Sequence, residues 1–201
     1  MIKRHYKGLT FFKQLDMQIL NLNNITILAI SDTHSQHRSL HIPVVDIIIH
    51  AGDACEDGDE EQLMDFFDWF SELPIQYKIF LAGNHDLIFD LEPERAKEMI
   101  PDNVIFLENE GIMIENVQFF GLVARPWMHE VIPIPENIDM LISHGAPQGI
   151  LDENSGCSIL RKMVETKKPK IHLFGHIHSV GCNCINQNST TFYNVARFPQ
   201  I

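Results

Sequence analysis

Three features of the sequence predict an α/β fold with mixed sheets. Short apolar, β-branched runs of strand length recur along the chain, and helical stretches separate the early ones. Between Val104 and Leu122, by contrast, strand-like runs follow one another with no helix between them. Alternating strands and helices give parallel pairing through crossovers, whereas consecutive strands give a hairpin or meander.

The strand expectations fall near residues 25–30, 46–50, 77–82, 104–107, 112–115, 117–122, 138–143, 170–174 and 190–195. The clearest helix runs from about Asp59 to Leu73: Leu63, Phe66, Phe67 and Phe70 recur at helical spacing, and Pro74 stops it. That spacing makes the aromatic stripe a core-facing surface. A second helix begins near Pro93. A third begins near Ser158 and carries Ile159, Leu160, Met163 and Val164 toward Pro169.

With no internal repeat or linker-like break, a single domain is expected over residues 25–201. Residues 1–24 are expected as a loosely attached N-terminal extension, the alternative being an amphipathic anchor around Phe11 to Leu20. Met17 is a candidate start. No apolar run approaches the roughly 20 residues of a membrane span. Net charge is −12, with 27 acidic against 15 basic residues. That balance argues against a duplex nucleic-acid partner, which a basic patch would serve. It leaves room for a small phosphorylated substrate if bound cations supply the positive charge. Cys55, Cys157, Cys182 and Cys184 are expected as free thiols of a reducing, cytoplasmic compartment.

The chemistry lies where strands end. Ile25–Ile30 leads into Ser31-Asp32-Thr33-His34, Ile47–Ile49 into His50-Ala51-Gly52-Asp53, and Lys78–Ala82 into Gly83-Asn84-His85-Asp86. Met140–Ile142 leads into Ser143-His144-Gly145, and Ile171–Phe174 into Gly175-His176-Ile177-His178. Alone, a Gly-Asp after a strand reads as a turn, and a strand-end His such as His144 as a hydrogen-bonded structural residue. Together, five strand ends bearing metal-ligand side chains can converge, since the carboxyl ends of strands in α/β sheets gather ligands.

This ordered set resembles the calcineurin-like metallophosphoesterase superfamily over roughly Ile25 to Val195. The text around Ser31–Ser35, His144–Asp152 and Phe174–His178 is similar to a small branch related to class III cyclic nucleotide phosphodiesterases. The resemblance implies a four-layer αββα sandwich of two mixed sheets flanked by helices. It implies that Asp32, His34 and His178 hold one metal and Asn84, His144 and His176 another, with Asp53 bridging. A carboxylate can offer one oxygen to each of two cations, which a neutral imidazole cannot. The mixed nitrogen and oxygen set suits Mn, Fe, Zn or Ni, of divalent or trivalent charge. Two such metals about 3.5–4 Å apart generate a bridging hydroxide and clamp a phosphoryl group.

By the same resemblance His85 is no ligand but assists the leaving oxygen, with Asp86 orienting it and raising its pKa. The expected activity is hydrolysis of a small phosphodiester, with a phosphomonoesterase or protein phosphatase, or a non-catalytic metal scaffold, as alternatives. His37 is expected either to face the site or to lie exposed, His50 to support the site, and His172 to pack away from it. Arg125-Pro126-Trp127-Met128-His129 is a candidate substrate rim. Arg125 stands where the apparent relatives carry a small residue, which leaves the substrate preference open. Cys55 reads as a small buried thiol.

Overall fold

The computed structural model describes residues 2–6, 9–13 and 17–197. β1 (Ile2–Tyr6) and β2 (Leu9–Lys13) pair as an antiparallel hairpin. The first sheet has the order β3-β4-β5-β6-β7. Its strands are β3 (Gln18–Leu22), β4 (Ile25–Ile30), β5 (Ile47–His50), β6 (Tyr77–Phe80) and β7 (Ile105–Phe106). All pair in parallel except β3. Helices α1 (Glu60–Glu72), α2 (Ile88–Leu91) and α3 (Pro93–Glu98) fill the crossovers.

The second sheet has the order β12-β13-β11-β10-β9-β8. It is built from β8 (Glu110–Ile114), β9 (Val117–Gly121), β10 (Met140–Ile142), β11 (Ile171–Phe174), β12 (Asn183–Gln187) and β13 (Thr190–Asn194), with α4 (Ser158–Lys167) crossing between β10 and β11. The β8–β9 pair is the antiparallel hairpin expected from the consecutive strands, and the central pairs are parallel.

Strand alternation explains the layering. Ile27, Ala29, Ile47, Ile49 and Ile79 face inward and share one buried core with Phe119, Met140, Ile142 and Leu173 of the other sheet. Their neighbours Leu28, Ile30, Ile48 and Phe80 face outward onto Leu63, Phe66, Phe67 and Phe70 of α1. On the far side Phe120, Leu141, Phe174 and Phe192 meet Leu160, Met163 and Val164 of α4. The result is helix, sheet, sheet, helix. Parallel strands covered on both faces are apolar at most positions, His50, Lys78 and His172 being the buried polar exceptions, which is why these segments read as near-continuous runs.

Helix α1 starts where Asp59 accepts the Gln62 amide at 3.1 Å, an N-cap with Glu60 and Glu61 beside the positive helix end. Its aromatic stripe is buried as expected. Four strands were not foreseen: β1, β2, β3 and β12. β3 lies in the segment read as an extension, yet it forms the edge of the first sheet, and Met17 packs on its outer core. β12 forms one edge of the second sheet. Each interleaves polar residues and buries little, so neither shows the apolar run of a central strand.

Two buried histidines give the fold a pH dependence. His172, among Phe174 and Phe192, and His50, against Phe66 and Phe80, are both pushed down to about 3 by burial. The unfolded chain takes up these protons near the ordinary value of 6.5, but the fold refuses them until about 3. Stability from each is therefore complete above 6.5 and is lost as pH falls toward 3. In urea unfolding between about pH 6 and about pH 4, His172→Gln should lose stability less steeply than wild type, by about 1 kcal/mol per pH unit. Parallel slopes would show that His172 does not titrate this way.

Candidate metal centre

The strand ends of both sheets meet at one edge of the sandwich. Asp32 and His34 follow β4, Asp53 follows β5, Asn84 and His85 follow β6, His144 follows β10, and His176 and His178 follow β11. The backbone there is strained. Asp32, His34, Asp53 and His176 all have positive φ, between 41° and 66°. Each such residue costs on the order of 1 kcal/mol against a right-handed conformation. The bends persist because surrounding bonds fix them: Asp32 N donates to Gly52 O at 2.8 Å, and His34 N to Asp53 O at 3.2 Å. Gly52 adopts φ +101°, and a side chain there would lie 2.5 Å from His144 Nδ1. Only glycine lets β5 turn beneath that ring.

The side chains gather in two groups. In the first, His178 Nε2 lies 3.0 Å from Asp32 Oδ1 and 3.4 Å from His34 Nε2. In the second, His144 Nε2 lies 3.2 Å from Asp53 Oδ2 and 3.0 Å from Asn84 Oδ1, with the His176 ring 5.3 Å from that of His144. Asp53 Oδ2 is also 3.9 Å from His34 Nε2, so this carboxylate stands between the groups. Atoms bound at about 2.0–2.2 Å to one metal, at angles near 90–110°, stand about 3.0–3.5 Å from each other. The measured spacings have that size. The donor set therefore fits cations, and Asp32, His34 and His178 on one side and Asp53, His144 and His176 on the other could each hold one.

Electrostatics favour the same reading. Asp32 and Asp53 are buried, which works to raise their pKa values, but hydrogen bonds and the charge of neighbouring histidines hold both below the ordinary carboxylate value. Burial likewise opposes charge on His144, yet the Asp53 charge and hydrogen bond lift it to about 9. Two buried carboxylates thus draw positive charge to the space between them. His144 Nδ1 donates to Ala51 O at 2.9 Å, which leaves Nε2, the nitrogen 3.2 Å from Asp53 Oδ2, as the one that would give its lone pair to a cation on losing its proton. Asp32 is fixed by Ser31 Oγ and by the His176 amide at 3.0 Å.

Asp86 requires a correction. Its carboxylate is buried and accepts the amides of Asp53, Ala54, Cys55 and Gly83 at 2.8–3.2 Å. Burial and the Asp53 charge push its pKa up against those bonds. It is the keystone of the Asp53 turn and does not orient His85. The partner of His85 is Asp57, whose Oδ1 lies 3.0 Å from His85 Nδ1, while the His85 amide donates to Asp53 Oδ1 at 2.8 Å. In this turn the Asp86 carboxylate faces the amides of Gly83 and Asp53 while the His85 ring faces Asp57. Sequence reasoning also missed Glu56, whose Oε1 is 3.7 Å from His34 Nδ1 and which completes a third cluster with His34 and His85. The only signal was an acidic run directly after Asp53.

The remaining expectations sort plainly. His37 neither faces the site nor lies exposed: it is buried against Phe66 and Trp69, its Nε2 3.0 Å from Asp65. His50 supports the site through Thr33 Oγ1 at 2.9 Å, and His172 bonds Ser143 Oγ at 2.9 Å, away from the ligands. Cys55 is a buried thiol beside Asp86, its pKa raised by burial and that charge. None of the described cysteines is joined in a disulfide, and Cys182 Sγ lies 3.6 Å from Ala196 O. His129 is exposed, His41 likewise, and the His5 side chain lies outside the described residues.

Comparison with known proteins agrees with this geometry. Residues 25–180 match the model of the calcineurin-like phosphoesterase family. A UPF0046 protein of Caenorhabditis elegans is 31% identical, across 86% of this chain and 70% of its own length. Human metallophosphoesterase domain-containing protein 1 is also 31% identical, across 84% of this chain, which spans 65% of that relative's length. Among solved structures, a phosphopantetheinyl hydrolase of Mycobacterium tuberculosis superposes with a TM-score of 0.61, covering 85% of this chain and 88% of its own at 13% identity. A Thermus thermophilus protein reaches 0.56, also at 13% identity, over 86% and 89% of the two chains. These two speak for the fold alone. The chain belongs to the calcineurin-like phosphoesterase family.

Asp86→Asn tests the keystone role. An amide in place of the carboxylate turns an N–H toward backbone donors, and should lower unfolding free energy by about 2–4 kcal/mol in urea titration. A variant as stable as wild type would remove that role.

Proposed function

We propose that this phosphoesterase hydrolyses a small phosphodiester, a cyclic or other nucleotide diester in kind, with two transition-metal ions drawn from Mn, Fe, Zn and Ni. Asp32, His34 and His178 would hold one ion and Asn84, His144 and His176 the other, with Asp53 shared. The observation that carries the reading is the convergence of nitrogen and oxygen donors from both sheets on either side of Asp53, with neighbouring donors among Asp32, His34, Asp53, Asn84, His144 and His178 at 3.0–3.9 Å. Bound there, the ions supply Lewis acidity toward phosphoryl oxygens and a water deprotonated near neutral pH.

The chain's own residues provide the other half. Asp57 faces His85 Nδ1 through its carboxylate, Oδ1 at 3.0 Å, and through its amide, which donates to Nδ1 at 3.4 Å, so Nε2 is the nitrogen left to give a proton to the departing oxygen. Asp57 is 87% exposed and His85 34% exposed, so this pair stands at the mouth of the site. Glu56 stands close by. Two carboxylates at the mouth repel a dianionic monoester more than a singly charged diester, which favours the diester. Among the described residues no helix is long and apolar enough to cross a membrane.

In metal-reconstituted protein, bis(4-nitrophenyl) phosphate should be cleaved with kcat/KM at least about tenfold above that of 4-nitrophenyl phosphate, a margin of about 1.4 kcal/mol in barrier. The reverse preference would contradict the diester assignment. His85→Ala should retain both metals by elemental analysis yet turn over methyl phenyl phosphate, whose leaving group needs a proton, about 100-fold more slowly. Asp53→Ala should lose metal together with activity. If His85→Ala lost metal as well, the separation of ligand from proton donor would fail.

A further inference from the structure

Arg125 follows β9 of the second sheet, but its guanidinium reaches the first. Nη1 donates to Asp90 Oδ1 at 2.7 Å and Nη2 to Glu108 Oε1 at 2.5 Å. Asp90 lies in α2, the short helix after Asp86, and Glu108 follows β7. The Arg125 side chain is 3% exposed, which sets it apart from an ordinary surface pair. Its main chain is held on the other side of the site. Gly145 N donates to Ala124 O at 2.7 Å, and a side chain on Gly145 would lie 1.9 Å from Pro126 O. The loop that carries Arg125 therefore rests directly on the residue after His144.

From α2 a short path leads to His85. Leu87, just before α2, packs on Gly58, where an added Cβ would lie 3.0 Å from Leu87 Cβ. Gly58 N donates to His85 O at 2.8 Å, and Asp57 of the same turn holds His85 Nδ1. Since the Asp57 side chain is mostly in solvent, the pair's geometry follows the placement of the turn beneath it.

We propose that Arg125 is a positioning residue for the leaving-group side of the reaction. By tying α2 to the His144 side of the site, it sets the 57–58 turn and, through Asp57, the direction of the His85 ring. The proposal rests on the phosphoesterase reading above. In the step concerned, the bond from phosphorus to the leaving oxygen breaks, and that oxygen keeps the electron pair and takes the His85 Nε2 proton. Water supplies the hydroxide that joins phosphorus and the proton that restores His85.

The test compares two diesters that differ only in leaving group, methyl phenyl phosphate and methyl 4-nitrophenyl phosphate. The nitrophenolate departs without help from an acid; the phenolate needs it. Arg125→Met and Asp90→Asn holoenzymes, at matched metal content, should lose about tenfold or more in kcat on the phenyl ester and less than about threefold on the nitrophenyl ester. Asp90→Glu should recover most of that loss. Asp90→Asn leaves the Arg125–Glu108 pair intact and decides the matter if Arg125→Met does not fold. Equal losses on both esters, or none, would overturn the proposal. A wild-type protein that cleaves neither diester with any of the four metals would instead overturn the phosphoesterase reading and this inference with it.

Discussion

Two carboxylates, Asp32 and Asp53, are buried side by side at the edge of an apolar sandwich, and the rest of the site answers that constraint. Buried negative charge is tolerated only with hydrogen bonds and positive charge close by. Ser31, the His176 amide and His178 meet Asp32, while the His85 amide and His144 meet Asp53. These partners come from both sheets, so the carboxylates also link the two halves of the fold. Where the same atoms hold metal ions, the positive charge is supplied in full.

The strained turns belong to this arrangement. A strand end that continued straight would carry its next side chain past the site; positive φ at Asp32, His34, Asp53 and His176 turns the chain back across it. Asp86 makes one of these turns rigid by collecting four backbone amides in one carboxylate. A ligand set pre-organised in this way does not have to reorganise when charge moves in a reaction.

Much of this was legible in the sequence because central parallel strands are apolar along most of their length. Ile47–Ile49 and Ile171–Phe174 mark themselves, and polar residues just beyond them, Asp53 and His176 with His178, mark the site. The edge strands β3 and β12 escaped because they bury little: only Leu20 of β3 is fully covered. His37 escaped because nothing in its neighbours reveals that α1 folds over it. Asp86 was read as the partner of His85, where the structure has Asp57, for a similar reason. Sequence order shows that Asp86 is next to His85 but not that it points the other way, and Asp57 was hidden in an acidic loop.

The most direct test of the account is an anomalous diffraction measurement on crystals of Mn-reconstituted protein. The account predicts two anomalous peaks about 3.5–4 Å apart, one on either side of the Asp53 carboxylate, the spacing of a two-metal phosphoryl-transfer site. One should contact Asp32, His34 and His178, and the other Asn84, His144 and His176. A single peak, peaks away from Asp53, or no peak in protein that retains activity would contradict it.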